Sequence, residues 1–377
     1  MNFTLPARDD IINAFSLRQF LFGLGGVGVL LLLVIGWIAL SGTQADRIYA
    51  QLLPSQTLLI SMNAAQTTQA AATPARASVN PPTRPKTTPL TNLSSTSKAL
   101  IDNDLPRYSN GLAKTPVDGL VEPVANGLLP IVRRQDKLTS FEAYKRPFTM
   151  PMGKAVISLV IEDLGLSDVA TESAIRTMPE NVTLSFSPYS YGLDKWVGDA
   201  RENGHEVWLT LPLETSEYPQ QDPGPHTILI GHSARENLSK LRWVMSRTQG
   251  YVGFIPSYRQ IFTTASNDMR PVFGDFYQRG LGYVDNAVRS SSALQSMASG
   301  MSAPFGVVDV WLDRDTQSSA DIQARFDALE NIAKQRGKAI GLLRAFPVSY
   351  QETLKWIETL ESKNIVLAPL SATITEQ

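Results

Sequence analysis

Apolar and polar positions change rhythm several times along the 377 residues of the chain. Residues 19–45 carry no charge, and 20–40 are almost wholly apolar. Such a run predicts a membrane-spanning helix at 19–41, since about 20 apolar residues cross a bilayer. Arg8 and Arg18 precede it and only Arg47 follows closely, which favours a cytoplasmic tail at 1–18. A cleaved leader ending at Thr43-Gln44-Ala45 is the alternative, but the apolar run is longer than such leaders use. From 42 to 100 the chain is rich in Ala, Thr, Pro and Gln, with few large apolar groups to bury, and reads as a disordered linker. Residues 101–153 stay Pro-rich yet hold Leu120, Leu128, Leu129, Ile131 and Phe141, the composition of a strap lying on a domain surface.

A third rhythm begins at 154 and runs to 377. Apolar stretches at 155–161, 182–186, 206–211, 251–255, 281–285, 306–312, 339–343 and 365–369 predict strands. Helix-period stretches at 168–178, 193–203, 234–247, 268–279, 290–297, 319–336 and 350–363 separate them. Gly204, Gly280 and Gly337 stand where glycine stops a helix. Regular βα alternation implies a parallel sheet, so a distorted (β/α)7-8 barrel is expected, with an open doubly wound sheet as the alternative.

Composition narrows the chemistry. A net charge of −1 shows no basic surplus for nucleic acid, and the absence of Cys removes thiol nucleophiles and thiolate metal sites. In a parallel barrel, function collects just beyond the strands' C-terminal ends. There the chain places Glu162 and Asp163 after the first strand, Glu214 after the third, Asp285 at the fifth and Asp309 or Asp313 at the sixth. Gathered together, these carboxylates suit a general acid–base site or a cation. Thr210, Ser257 and Arg344 fall at other tips. Of three histidines, His205 precedes its strand and reads as structural, whereas His226 and His232 lie in a long loop on the functional side. Tyr189 and Tyr258 offer flat rings for stacking on a sugar, with His226 as a further substrate contact.

Six segments carry a resemblance: V-I-E-D-L-G at 160–165, V-T-L-S-F-S-P-Y at 182–189, G-H-E-V-W-L-T-L-P-L-E at 204–214, D-P-G-P-H-T at 222–227, R-G-L-G-Y-V-D at 279–285 and A-I-G-L-L-R-A-F-P at 339–347. In this order they resemble the divergent polysaccharide deacetylases, a branch of the NodB-like carbohydrate esterases. The resemblance implies hydrolysis of an N-acetyl group on an envelope amino sugar, with a zinc-like divalent metal and a carboxylate base. It also implies that the acid pair after the first strand, Glu162 and Asp163, supplies base and ligand, with Asp163 on the metal. Relatives carry histidines where this chain has Thr210 and Ser257, and often near Arg344. The expected function is therefore either that of a membrane-anchored deacetylase-like protein or that of an inactive relative binding glycan or protein. Either reading places the domain on the outer side of a bacterial inner membrane.

Overall fold

A computed structural model of the protein describes residues 105–376, apart from 259, 262–265, 287–291 and 315–317. The expected membrane helix at 19–41 and linker at 42–100 lie outside the described residues, and no described helix is long and apolar enough to cross a membrane.

The segment before the barrel forms an antiparallel hairpin, β1 (Val121–Val124) and β2 (Gly127–Pro130), and a short helix, α1 (Ser140–Tyr144). It does more than lie on the surface. Ala113, Val117, Leu120, Phe141 and Tyr144 are buried in one cluster with the sheet residues Val160, Trp208, Val284 and Leu342. The fully buried Arg201 fastens this segment, its guanidinium donating to the carbonyl oxygens of Ala113 (2.8 Å), Tyr144 (3.0 Å) and Gly250 (3.0 Å). Its ring contact with Tyr144 spreads the same charge over an aromatic face.

Beyond it, strands and helices alternate as expected. Strand β3 (Ala155–Leu164) leads through α2 (Asp168–Thr177) to β4 (Thr183–Phe186), then α3 (Leu193–Glu202), β5 (Val207–Leu211), α4 (Ala234–Met245) and β6 (Gly253–Pro256). Helix α5 (Ser266–Gln278), β7 (Gly282–Asp285), α6 (Ser292–Gly300), β8 (Pro304–Val307) and β9 (Val310–Trp311) follow. The chain finishes with α7 (Ser319–Arg336), β10 (Lys338–Arg344), α8 (Pro347–Ile357), β11 (Ile365–Ala368), α9 (Leu370–Thr373) and β12 (Thr375–Glu376).

Neighbouring strands from β3 to β8 pair in parallel and in chain order, and β10 returns along the other edge of β3. Strand β8 pairs with β7, while β9, just beyond it, pairs with β10. Between them Val308 donates to the Asp285 carbonyl (2.8 Å) and Asp309 to that of Ile340 (2.9 Å). Both ends of the curled sheet thus meet on residues 304–311, an arrangement that fits a (β/α) barrel. The eighth expected strand, β11, pairs with Ala155–Ser158 at the start of β3 and does not extend the ring.

Alternation along the strands separates two faces. Val160, Trp208, Ile255, Val284 and Leu342 point into the ring, while Leu159, Ile161, Leu209, Phe254, Tyr283 and Leu343 pack under the helices. Apolar side chains of α9 and the N-terminal segment fill the ring's N-terminal end.

Candidate functional site at the C-terminal mouth

Successive strand residues face opposite sides, so Glu162 and Asp163 should diverge. A bulge changes this. Ile161 pairs with Leu184 and Leu164 with Phe186, three residues of β3 advancing against two of β4. Asp163 absorbs the extra residue at φ 58°, a left-handed conformation that Asp tolerates better than most side chains. Gly165 follows at φ +87°, and a methyl there would lie 1.9 Å from the Ser190 hydroxyl. Ser190 in turn donates to the carbonyls of Ser187 (2.7 Å) and Leu164 (3.2 Å), so the tips of β3 and β4 are locked together.

Glu162 sits inside this mouth, fully buried, and among the described residues neither carboxyl oxygen has a hydrogen-bond partner. Its register partner on β10 is Arg344. Asp313, also fully buried, follows β9 and accepts from Ser349 Oγ (2.6 Å) and Arg344 N (3.0 Å) through Oδ2. Its Oδ1 is unpartnered, with Arg344 Nε at 3.8 Å. Asp163 is partly exposed, and among the described residues its one hydrogen bond is a long one, 3.5 Å, from Thr210 Oγ1. Burial, then repulsion from Asp163 and Asp313, drives the Glu162 carboxyl well above the usual carboxylate range, with Arg344 opposing. Burial also raises Asp163 and Asp313 against the pull of Arg344 and of their own hydrogen bonds.

Arg344 pairs its charge with Asp313 but spends its side-chain hydrogen bonds on the main chain. Its Nη2 donates to the carbonyls of Asp313 (2.8 Å) and Arg314 (3.1 Å), and its guanidinium lies 4.9 Å from the Tyr258 ring and 4.6 Å from that of Phe346. Tyr258 packs edge-on to Trp311 at 5.0 Å and donates to the Arg314 carbonyl (2.8 Å). Glu162, Asp163 and Tyr258 therefore belong to one constellation with Asp313 and Arg344, two residues also expected at strand tips.

The remaining candidates lie elsewhere. Glu214 accepts from Ile230 N (2.7 Å) and pins the long loop after β5. Asp285 shares the strand parity of Tyr283, accepts from Gln260 Nε2 (3.1 Å), and faces the helix side with Tyr277. Tyr189 and His226 meet each other: His226 N donates to Tyr189 Oη (2.9 Å), and the imidazole stacks at 3.5 Å on Trp243 of α4. Burial, with Lys240 and Arg247 nearby, lowers the His226 pKa, while burial lifts Tyr189 to about 12. His205 bonds the carbonyls of Val182 (2.9 Å) and Ile175 (3.0 Å), a structural placement.

Residues 159–374 match the family model for divergent polysaccharide deacetylases. The chain belongs to this family. An uncharacterized protein of known structure from Agrobacterium tumefaciens C58 is 35% identical, with a TM-score of 0.62 over 65% of this chain and 99% of that one. The uncharacterized protein YibQ of Escherichia coli K12 is 22% identical over 226 residues, 60% of this chain and 69% of its own. The catalytic domain of a peptidoglycan N-acetylglucosamine deacetylase from Eubacterium rectale aligns at 11% identity over 61% of this chain and 96% of that one; its TM-score of 0.39 is too low for comparing side chains.

Divergent deacetylases are expected to use a zinc-like ion, and the donors here do not fit one. Ser257 accepts from Leu213 N (3.1 Å) and donates to Leu213 O (2.9 Å), which commits its hydroxyl to joining β5 and β6. Thr210 is engaged with Asp163 and with Ser185 (3.3 Å). Hydroxyls are poor zinc ligands beside imidazole. Among the described residues, no three His, Cys, Asp or Glu side chains are grouped to hold a metal.

Proposed function

We propose that this divergent polysaccharide deacetylase binds an amino-sugar glycan across the C-terminal mouth of its barrel without metal-dependent deacetylation. The observation carrying this reading is the replacement of the metal's donors. Ser257 and Thr210 are spent on strand-to-strand bonds, and the Arg344 guanidinium stands in register with Glu162. Tyr258 offers a half-buried ring beside the acids for a sugar face. The uncharged stretch at 19–45 supports attachment to a bacterial inner membrane, with the domain facing the envelope glycan.

A deacetylase reading keeps one observation in its favour, since the bulge retains a buried acid, Glu162, next to a more accessible one, Asp163. The test is to give the protein N-acetylated and partly de-N-acetylated glycan oligomers with zinc, cobalt or nickel, measuring equilibrium binding and acetate release together. Binding without acetate release supports the proposal. Acetate release abolished by Asp163→Ala, or absence of any binding, overturns it.

A further inference from the structure

The mouth has a surplus of acceptors. Among the described residues, both oxygens of Glu162 and Oδ1 of Asp313 lack a hydrogen-bond partner although both residues are fully buried, and Asp163 receives only the long bond from Thr210. Buried polar atoms in folded proteins are nearly always paired, so a group of unpaired acceptors points to a missing donor. The Arg344 guanidinium does not supply it, although its Nε also lacks a hydrogen-bond partner. Arg344 spends Nη2 on two main-chain carbonyls and is clamped between Tyr258 and Phe346, leaving Nε 3.8 Å from Asp313. Three carboxyl groups thus lie beside an immobilised guanidinium.

What completes such a site is a compact cation made of donors. A primary ammonium brings three N–H donors and no acceptor. An acetamide brings a carbonyl acceptor to a place already crowded with acceptors, and only one N–H. A divalent metal is also a cation, yet it needs several donors at fixed short distances, and the hydroxyls that would complete the set are committed elsewhere. We infer that the mouth recognises the free amine of a de-N-acetylated amino sugar, contacted by Asp163 and backed by Glu162 and Asp313. This rests on the glycan-binding proposal and specifies its ligand. Such a ligand is the product of N-deacetylation, so the protein acts downstream of an amide hydrolase and reads where acetyl groups have been removed.

The test compares tetrasaccharides of β-1,4-linked glucosamine and N-acetylglucosamine by titration calorimetry on the full-length chain in detergent at neutral pH. The free-amine oligomer should bind about tenfold or more tightly than the acetylated one, the scale of a charged hydrogen bond. Asp163→Asn should abolish the preference, with an unchanged circular dichroism spectrum confirming its fold. Asp313→Asn, which acts from behind, should weaken it and provides a second variant. Equal binding, or preference for the acetylated oligomer, overturns the inference and leaves the glycan-binding proposal standing. Preference that persists in a folded Asp163→Asn protein also overturns it, by showing diffuse charge attraction. Failure of both oligomers to bind overturns the inference and the proposal together.

Discussion

Replacing Asp163 by Asn should make the protein more stable at neutral pH while removing ligand recognition. Asn keeps the shape of the side chain, tolerates the left-handed conformation at φ 58°, and retains an oxygen for the 3.5 Å contact from Thr210. It removes only a charge that burial disfavours and that raises the Glu162 carboxyl. The sign follows from linkage. The folded Asp163 holds its proton above the unfolded carboxyl's value of about 3.9, so its contribution becomes unfavourable as pH rises through and above that value. Each tenfold change in acidity between the folded and unfolded states corresponds to about 1.4 kcal/mol. Since Arg344 and Thr210 oppose the shift, the gain at pH 7 is expected at the low end of single-substitution effects, about 0.5 kcal/mol. Asp163→Ala removes the same charge but meets a left-handed penalty of about 1 kcal/mol or more, so it should fall below Asn by that amount. Urea unfolding followed by tryptophan fluorescence at pH 7 and at about pH 2 to 3 measures both differences. The Asn gain should vanish at the acid end, where wild-type Asp163 is neutral in both states. Destabilisation by Asp163→Asn at pH 7, or a gain independent of pH, would refute the reasoning.

Glu162→Gln should likewise stabilise the fold increasingly as pH rises above the unfolded carboxyl range, because the buried Glu162 resists ionisation; a pH series of urea midpoints reads this. Arg201→Met should cost about 3–5 kcal/mol, since three buried carbonyls lose their donor, and should speed tryptic cleavage of the segment before the barrel. Gly165→Ala should cost about 2–4 kcal/mol, combining left-handed strain with the collision against Ser190, and its ligand binding should fall with its urea midpoint.

Much of the fold was legible because buried parallel strands read as short apolar runs and glycine marks the helix stops. Gly337 does cap α7 at φ +81°, and strand β3 ends on the acids that interrupt its apolar run. The way the ring closes was not legible. Residues 304–311 meet both ends of the sheet, and β11 sits beside the start of β3, which depends on pairings between distant segments. The site was legible in part. Glu162 and Asp163 share the mouth only through a bulge, which strict alternation along a strand does not foresee. Asp285 sits in a four-residue strand buried on both faces, where alternation of polarity gives no sign of direction. Tyr189 and His226 meet because the loop after β5 folds back over α4, and their spacing in sequence carries no trace of that. Arg344 was visible at its strand tip, but its aromatic clamp joins Tyr258 of one loop to Phe346 of another.

The most direct test of a mouth that binds glycan without a metal is metal content. The purified protein is loaded with zinc, cobalt or nickel, desalted, and subjected to elemental analysis beside Asp163→Asn. The account predicts retention far below one ion per chain, with no difference between the two proteins. One ion per chain, lost in Asp163→Asn, would contradict it and restore a metal-dependent deacetylase with a rearranged ligand set.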